Sequence, residues 1–128
     1  MDVIDTINKI NDSYIEVYDE YGYTYLNSNP IVTFNNGFCY EYHLLLKRFF
    51  YTAELVMQND KMHCATLIDN NIYDVNGIRE DIENFHIATG CDMEYIYKYY
   101  GFLPERFREN LNKTVTHNVL SKNKVKII

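Results

Sequence analysis

Residues 35–50 read NNGFCYEYHLLLKRFF, and residues 63–77 read HCATLIDNNIYDVNG. In the first stretch two asparagines and a glycine precede an apolar run, a pattern typical of an Asn-capped helix that is buried around most of its circumference. In the second stretch apolar segments flank Asp69-Asn70, which tolerates positive φ angles and predicts a hairpin of two strands over 63–68 and 72–75. These stretches predict a helix packed on a small antiparallel sheet, and therefore an α+β fold.

The remaining segments add helices at both ends. Apolar residues recur at three- and four-residue steps over 3–18, which predicts an amphipathic helix. A loop with an extended end is expected over 23–34, and a further strand over 53–57. Asn76-Gly77 is expected to end the sheet. Beyond it, helix start and stop signals predict short helices over 79–89, 92–100 and 104–112.

The length of 128 residues fits one domain with one hydrophobic core. Hydrophobic residues make up 47% of the chain, which excludes general disorder. No internal repeat or linker divides the sequence. Within the single domain 1–128, we expect an N-terminal helix and loop at 1–34, the central helix and sheet at 35–77, C-terminal helices at 78–121 and a tail at 122–128.

The charge and cysteine content limit the partners and the compartment. A formal charge of −6 argues against a nucleic-acid polymer or an anionic membrane as the main partner, because both require concentrated Lys and Arg. The sequence has no apolar run long enough to span a membrane, and its start, Met-Asp-Val-Ile-Asp, lacks the basic residues of a secretory signal. Three cysteines without paired spacing fit a reducing compartment. We therefore expect a cytoplasmic protein.

Cys39, His63 and Asp74 carry the chemistry expected of a thiol nucleophile. A cysteine at a helix N-terminus beside a histidine has a lowered pKa, because the helix dipole and the imidazolium both favour the thiolate. If Asp69-Asn70 form the turn, His63 lies opposite Asn76, and Asp74 is its diagonal neighbour on the same face. Asp74 could orient the imidazole, or Asn76 could do so instead.

Other polar groups near Cys39 are candidates for the pocket. Asn35, Asn36 and the N–H of Cys39 could form an oxyanion hole at the start of the helix. His43 follows Cys39 by one helical turn, so it could line the same pocket or be a packed histidine, which is the more common situation.

The motif Gly37-Phe38-Cys39 at the start of an apolar helix, followed by residues 63–77, resembles the papain-like superfamily in its transglutaminase-like form, including small phage and bacterial members. The resemblance covers about a third of the chain. It implies a nucleophile-bearing helix packed on a small antiparallel sheet, with Cys39 as nucleophile, His63 as base and Asp74 as the residue that orients His63. The glutamine or tryptophan that often precedes the nucleophile in larger relatives has no counterpart here.

The resemblance implies a cysteine-dependent hydrolase or acyl transferase of peptidase, amidase or deamidase type, with a protein, peptide or small-molecule substrate and no cofactor. A first alternative is a phage counter-defence enzyme that cleaves a cyclic nucleotide signal with the same triad. A second is a papain-like protein that binds and blocks a partner without catalysis. The sequence does not distinguish their substrates.

The remaining cysteines, histidines and tyrosines have simpler interpretations. Cys64 alternates to the face opposite His63 and is expected to pack in the core, and Cys91 follows a helix-ending glycine. Zinc could be held by Cys39, His43 and His63, or by His86 and Cys91, but neither set has the close paired spacing of a structural zinc site, so no metal is expected. Tyrosines at 14–25 and 95–100 could form a stacking surface, although an AT-rich genome also produces such a composition.

Overall fold

The computed structural model of the protein describes residues 1–22 and 25–125. In these ranges the helices are α1 (Val3–Tyr21), α2 (Pro30–Asn35), α3 (Cys39–Lys47), α4 (Gly90–Tyr99) and α5 (Glu105–Val125). The strands are β1 (Glu54–Gln58), β2 (Cys64–Ile68), β3 (Asn71–Asp74), β4 (Gly77–Arg79) and β5 (Phe85–Ile87). A 3₁₀ turn, Ile82–Asn84, precedes β5. The predicted α+β class is confirmed.

The described strands form one antiparallel sheet in the order β4-β3-β2-β1-β5. The β2–β3 hairpin has the predicted register, with Ile68 paired to Asn71. Asp69 and Asn70 between them adopt positive φ angles of 48° and 69°. These are the angles that a two-residue hairpin turn requires, and Asn and Asp tolerate them better than most residues.

The main core lies among the helices. α1 packs along α5, and both contribute an apolar stripe to one cluster that also includes Phe34 and the inner face of α3. On its other side α3 contacts β2, where Cys39 and Tyr40 pack with Met57, Cys64 and Ile96 in a second cluster. The start of α3 is therefore held between the sheet and α4. In the described residues no helix combines the length and the apolar character needed to cross a membrane.

The chain before Cys39 differs from the prediction. Residues 31–34, expected to be extended, belong to α2, because Asn29 caps its first turn and Pro30 begins it. The predicted asparagine cap of the central helix is also wrong: Phe38 is the N-cap residue of α3 and makes no side-chain cap bond. Asn36 instead ends α2, where its N–H bonds to the carbonyl of Thr33. Residues 23 and 24 of the predicted loop lie outside the described residues.

The segment after Asn76 also differs. The helix predicted over 79–89 is wrong, and Asn76-Gly77 does not end the sheet, because β4 continues the hairpin and β5 pairs with β1 at the opposite edge. Pairing with a distant strand outweighs local helix propensity here. α4 begins after Thr89, which forms a capping box with the third helical residue, Asp92. α5 continues to Val125, well beyond residue 112 and into the expected tail.

Candidate active site at the start of α3

Cys39 is the first residue of α3 and is 3% exposed. The chain enters the helix through Gly37, whose φ of 97° lies in the left-handed region that glycine adopts readily. The carbonyl of Gly37 accepts a 2.7 Å hydrogen bond from the N–H of Gly101, which ties this turn to the segment after α4. The Cys39 sulfur therefore lies at the positive end of the helix dipole, where a thiolate is favoured.

Cys64, at the start of β2, forms hydrogen bonds with Cys39 that the sequence interpretation missed. Both its backbone N–H and its thiol donate to the sulfur of Cys39, each over 3.4 Å. Cys64 is fully buried, as expected, but it also serves as a hydrogen-bond donor to the candidate nucleophile. Because side chains alternate along a strand, the sequence predicted Cys64 on the face opposite His63, and this role was not predicted. The only sequence signal was its position next to His63.

His63 lies between Cys39 and Asp74. Its Nε2 donates to Oδ2 of Asp74 over 3.0 Å, and the ring lies close enough to Cys39 for each group to shift the pKa of the other. The residue directly precedes β2, so the β2–β3 register brings Asp74 to it as a diagonal neighbour. The structure thus brings together the three residues that the sequence singled out.

Arg79 is a further partner of Asp74, and the sequence interpretation also missed it. Nη1 of Arg79 lies 3.0 Å from the carboxylate oxygen that His63 contacts, Oδ2, and the other oxygen, Oδ1, accepts a 2.8 Å bond from the N–H of Asn76. Arg79 also forms a two-pronged ion pair with Asp81. Because residue 79 was expected in a helix, no sequence signal connected it with the hairpin.

The ionisation of Cys39 and His63 follows from these contacts. The Cys64 hydrogen bond, together with those from His63 and the Cys64 N–H, outweighs burial and lowers the pKa of Cys39 to about 5. Burial lowers the pKa of His63, but its bonds to Asp74 and Cys39 outweigh burial and raise that pKa to about 9. The bond to Cys39 and burial both raise the pKa of Cys64. Between about pH 5 and about pH 9, Cys39 is therefore a thiolate and His63 an imidazolium.

The carboxyl of Asp74 is ionised under the same conditions. Burial raises its pKa, but the hydrogen bonds from His63, from the Asn76 N–H and from Arg79 outweigh burial and lower it. A carboxylate that is 3% exposed is therefore compensated by one imidazolium and one guanidinium. Such a carboxylate fixes the orientation of the imidazole ring.

The asparagines expected near Cys39 make other contacts. The side chains of Asn35 and Asn76 form a reciprocal amide pair, with N–O distances of 3.3 and 3.1 Å. The Asn36 side chain bonds back to the carbonyl of Val32. The Asn35–Asn76 pair joins α2 to the turn after β3. Asn76 supports the site through its backbone N–H, which bonds to Asp74, and the side chain that bonds to His63 is that of Asp74.

His43 points along α3 toward the sheet. Its Nδ1 lies 2.9 Å from Oγ1 of Thr66, and its ring stacks on Tyr40. Burial and the nearby charge of Lys47 lower its pKa to about 4, so the imidazole is neutral at pH 7. It lines a cavity of about 470 Å³ together with Tyr40, Leu55 and other residues. The structure thus gives His43 a place beside Tyr40, the residue that follows Cys39.

Residues of both zinc alternatives form hydrogen bonds with other side chains. In the described parts of the chain no group of three or more His, Cys, Asp or Glu residues is arranged to hold a metal ion. His86 forms a second His–Asp pair, with its Nε2 2.7 Å from Oδ2 of Asp92 and its Nδ1 2.7 Å from Oδ1 of Asn59. Cys91 is exposed at the start of α4.

The tyrosines that the structure describes do not share one surface. Tyr14 is buried at the centre of the helical core, whereas Tyr25, Tyr97 and Tyr99 are exposed. Tyr97 stacks on Phe102 beside Tyr40, at ring-centroid distances of about 6 Å. A binding role for these rings stays a prediction.

Comparison with known families assigns the chain to one of them. A family model described as phage YunG-like protein matches residues 14–116, which include α2, α3, the whole sheet and α4. The chain belongs to the phage YunG-like family. This match supports the predicted phage or bacterial source. No curated protein and no solved structure matches the chain significantly. The description of the phage YunG-like family states no activity, so the function has to be inferred from the site.

Proposed function

We propose that this protein is a cysteine-dependent hydrolase or acyl transferase in which Cys39, His63 and Asp74 act as a papain-like, transglutaminase-like triad. The observation that supports the proposal is the position of His63, which bonds to Asp74 and lies close enough to Cys39 to stabilise its thiolate. Nucleophile, base and orienting carboxylate are then neighbours in that order, the arrangement that activates a weak nucleophile.

The reaction begins with attack of the Cys39 thiolate on the carbonyl carbon of an amide or ester. A carbon–sulfur bond forms, and negative charge develops on the carbonyl oxygen. The first N–H groups of α3 have no partner inside the helix and are suited to stabilise this oxyanion. We assign that role to the N–H of Cys39, because the side chains of Asn35 and Asn36 are engaged elsewhere.

His63 then completes the transfer. Its imidazolium donates a proton to the leaving nitrogen or oxygen. The bond between the carbonyl carbon and that leaving atom breaks, and a thioester remains on Cys39. The neutral imidazole next removes a proton from water, or from another acceptor nucleophile, which attacks the thioester. The sulfur leaves as a thiolate, and Asp74 keeps the imidazole ring oriented throughout.

Activated acyl esters provide the most direct test. We expect a p-nitrophenyl acyl ester to release nitrophenol and to leave an acyl group on Cys39 that peptide mass spectrometry locates. Cys39→Ala should abolish both, whereas Cys91→Ala, which removes an exposed cysteine, should change neither. Acylation of Cys91 alone, or release that is unaffected by Cys39→Ala, would disprove the proposal.

One observation favours the non-catalytic alternative, a papain-like protein that binds a partner. Cys39 is only 3% exposed, so a substrate can reach its sulfur only after the residues around it move. If Cys39→Ala retains the full biological effect of the protein in infected or producing cells, the binding function is correct and the triad serves to stabilise the fold.

A further inference from the structure

Cys39 and Cys64 face each other inside the protein. Their sulfur atoms lie 3.4 Å apart, and both cysteines are free thiols. The two residues are 25 positions apart in the chain and belong to α3 and β2. The fold has therefore brought together two thiols that the spacing of the sequence did not connect.

Both cysteines are the first residues of their elements. A disulfide requires a sulfur–sulfur distance of about 2.0 Å, so the two sulfurs must approach each other by about 1.4 Å. Rotation of the side chains and a small shift at the two element ends can supply this approach. Gly37 precedes Cys39 by two residues, and the β1–β2 turn precedes Cys64, so neither shift has to move a helix or strand as a whole.

We propose that Cys39 and Cys64 form a redox pair that a hydroperoxide converts into a disulfide, which removes the nucleophile of the candidate active site. The Cys39 thiolate attacks one oxygen of the peroxide, an S–O bond forms and the O–O bond breaks. The departing oxygen takes up a proton and leaves as water or an alcohol. Cys39 is oxidised to a sulfenic acid, and the peroxide is reduced.

The second step uses the neighbouring thiol. The sulfur of Cys64 attacks the sulfur of the sulfenic acid, an S–S bond forms and the S–O bond breaks. The hydroxyl group leaves with the proton of Cys64 as water. In total the Cys39 thiolate, the Cys64 thiol, one proton and one peroxide give a disulfide, one water and a second water or an alcohol.

The burial of the pair determines which oxidant fits. Cys64 is fully buried and Cys39 is 3% exposed, so a large disulfide such as oxidised glutathione cannot approach either sulfur without local opening. Hydrogen peroxide is close to water in size and needs far less space. Cys64 then protects Cys39, because the disulfide is reversible whereas further oxidation to sulfinic acid is not.

The test treats the reduced full-length protein with a small excess of hydrogen peroxide, blocks the remaining thiols with N-ethylmaleimide and maps the peptides by mass spectrometry. We expect a peptide pair joined through Cys39 and Cys64, continued labelling of Cys91, and full reversal by dithiothreitol. Oxidised glutathione should produce this pair much more slowly. Accumulation of sulfinic or sulfonic acid on Cys39, or an unchanged Cys39, in the wild type would overturn the proposal.

Two variants sharpen the result. In Cys64→Ser and Cys64→Ala, we expect peroxide to drive Cys39 to sulfinic acid that dithiothreitol does not reverse, whereas Cys91→Ser should behave like the wild type. The wild-type peptide map decides the question even if the Cys64 variants fail to fold. This proposal does not depend on acyl transfer: a Cys39 that is acylated by esters but forms no disulfide would contradict the redox pair alone.

Discussion

Nε2 of His63 and Oδ2 of Asp74 lie 3.0 Å apart, and both groups are largely buried. His86 and Asp92 form a second pair of the same kind at 2.7 Å, but that pair holds the start of α4 and His86 is 38% exposed at its side chain. The two pairs differ in the group that the histidine contacts besides its aspartate. His63 also lies close enough to Cys39 to shift its pKa, whereas His86 bonds to an asparagine amide.

His63→Ala should slow the reaction of Cys39 with iodoacetamide at pH 7, because the thiolate loses the neighbouring imidazolium that stabilises it. His86→Ala is the matched control, since it breaks a comparable His–Asp pair in which the histidine contacts Asn59 rather than Cys39. Rates are measured by peptide mass spectrometry after timed labelling. Equal effects of the two substitutions would show that His63 acts only through the stability of the fold.

The pH dependence of Cys39 should differ from that of an ordinary thiol. Its pKa is lowered to about 5, so the alkylation rate of Cys39 should rise through this pH and then level off. Free cysteine, measured in parallel, should rise only near its ordinary pKa of about 8.5. Acyl transfer should also fall above the His63 pKa of about 9, where the proton donor is lost. A Cys39 profile that matches free cysteine would contradict the ion pair.

Cys64→Ala should raise the pKa of Cys39, because the Cys39 thiolate loses the hydrogen bond that the Cys64 thiol donates. Raising this pKa by one unit lowers the thiolate fraction about tenfold at pH values well below the pKa of the wild type and that of the variant. At pH 5, which is about the wild-type pKa of Cys39, the same rise lowers the thiolate fraction about fivefold, so we expect a loss of this order in alkylation rate near pH 5, with little change above pH 9. Circular dichroism shows whether the variant is folded. An unchanged profile in folded protein would remove Cys64 from this role.

Arg79→Met should destabilise the protein by about 1–2 kcal/mol, because it leaves the buried Asp74 carboxylate with one cation fewer. Arg106→Met, at an exposed position of α5, should change the free energy of unfolding by less than about 0.5 kcal/mol. Urea unfolding at pH 7 compares them. Equal midpoints would show that the Arg79–Asp74 ion pair contributes nothing.

The same variant should be more sensitive to acid. The pKa of Asp74 is lowered in the folded state, so its contribution to stability is fully present above its ordinary pKa and is lost as the pH falls through the lowered value. Removing Arg79 raises that lowered pKa. The acid unfolding midpoint of Arg79→Met should therefore lie at a higher pH than that of the wild type.

Gly101→Ala should disturb the start of α3. A Cβ atom at Gly101 would lie 2.9 Å from the ring of Phe38, the residue directly before Cys39. At Gly90 a Cβ atom would have no neighbour within 4 Å, so Gly90→Ala is the matched control. We expect Gly101→Ala to lower thermal stability and to change the alkylation rate of Cys39, and Gly90→Ala to leave both near the wild-type values.

The α+β class, α1 and the β2–β3 hairpin could be predicted because they depend on local patterns. Apolar periodicity determined α1, and Asp69-Asn70 determined a turn whose register then brought Asp74 to His63. Local patterns misled where distant pairing decided the outcome. The residues of β5 contain helix-compatible side chains, but the exposed edge of β1 offered hydrogen bonds that drew them into the sheet.

By itself, then, the sequence determined the local positions of the candidate site residues, since a cysteine at a helix start, a histidine and an aspartate in one hairpin are set by short-range order. Only the tertiary structure decided their surroundings: Cys64 against Cys39, Arg79 on Asp74, and Asn35 paired with Asn76. Each of these contacts joins separate elements, and side-chain direction at such junctions depends on how the elements pack, which no local sequence pattern encodes.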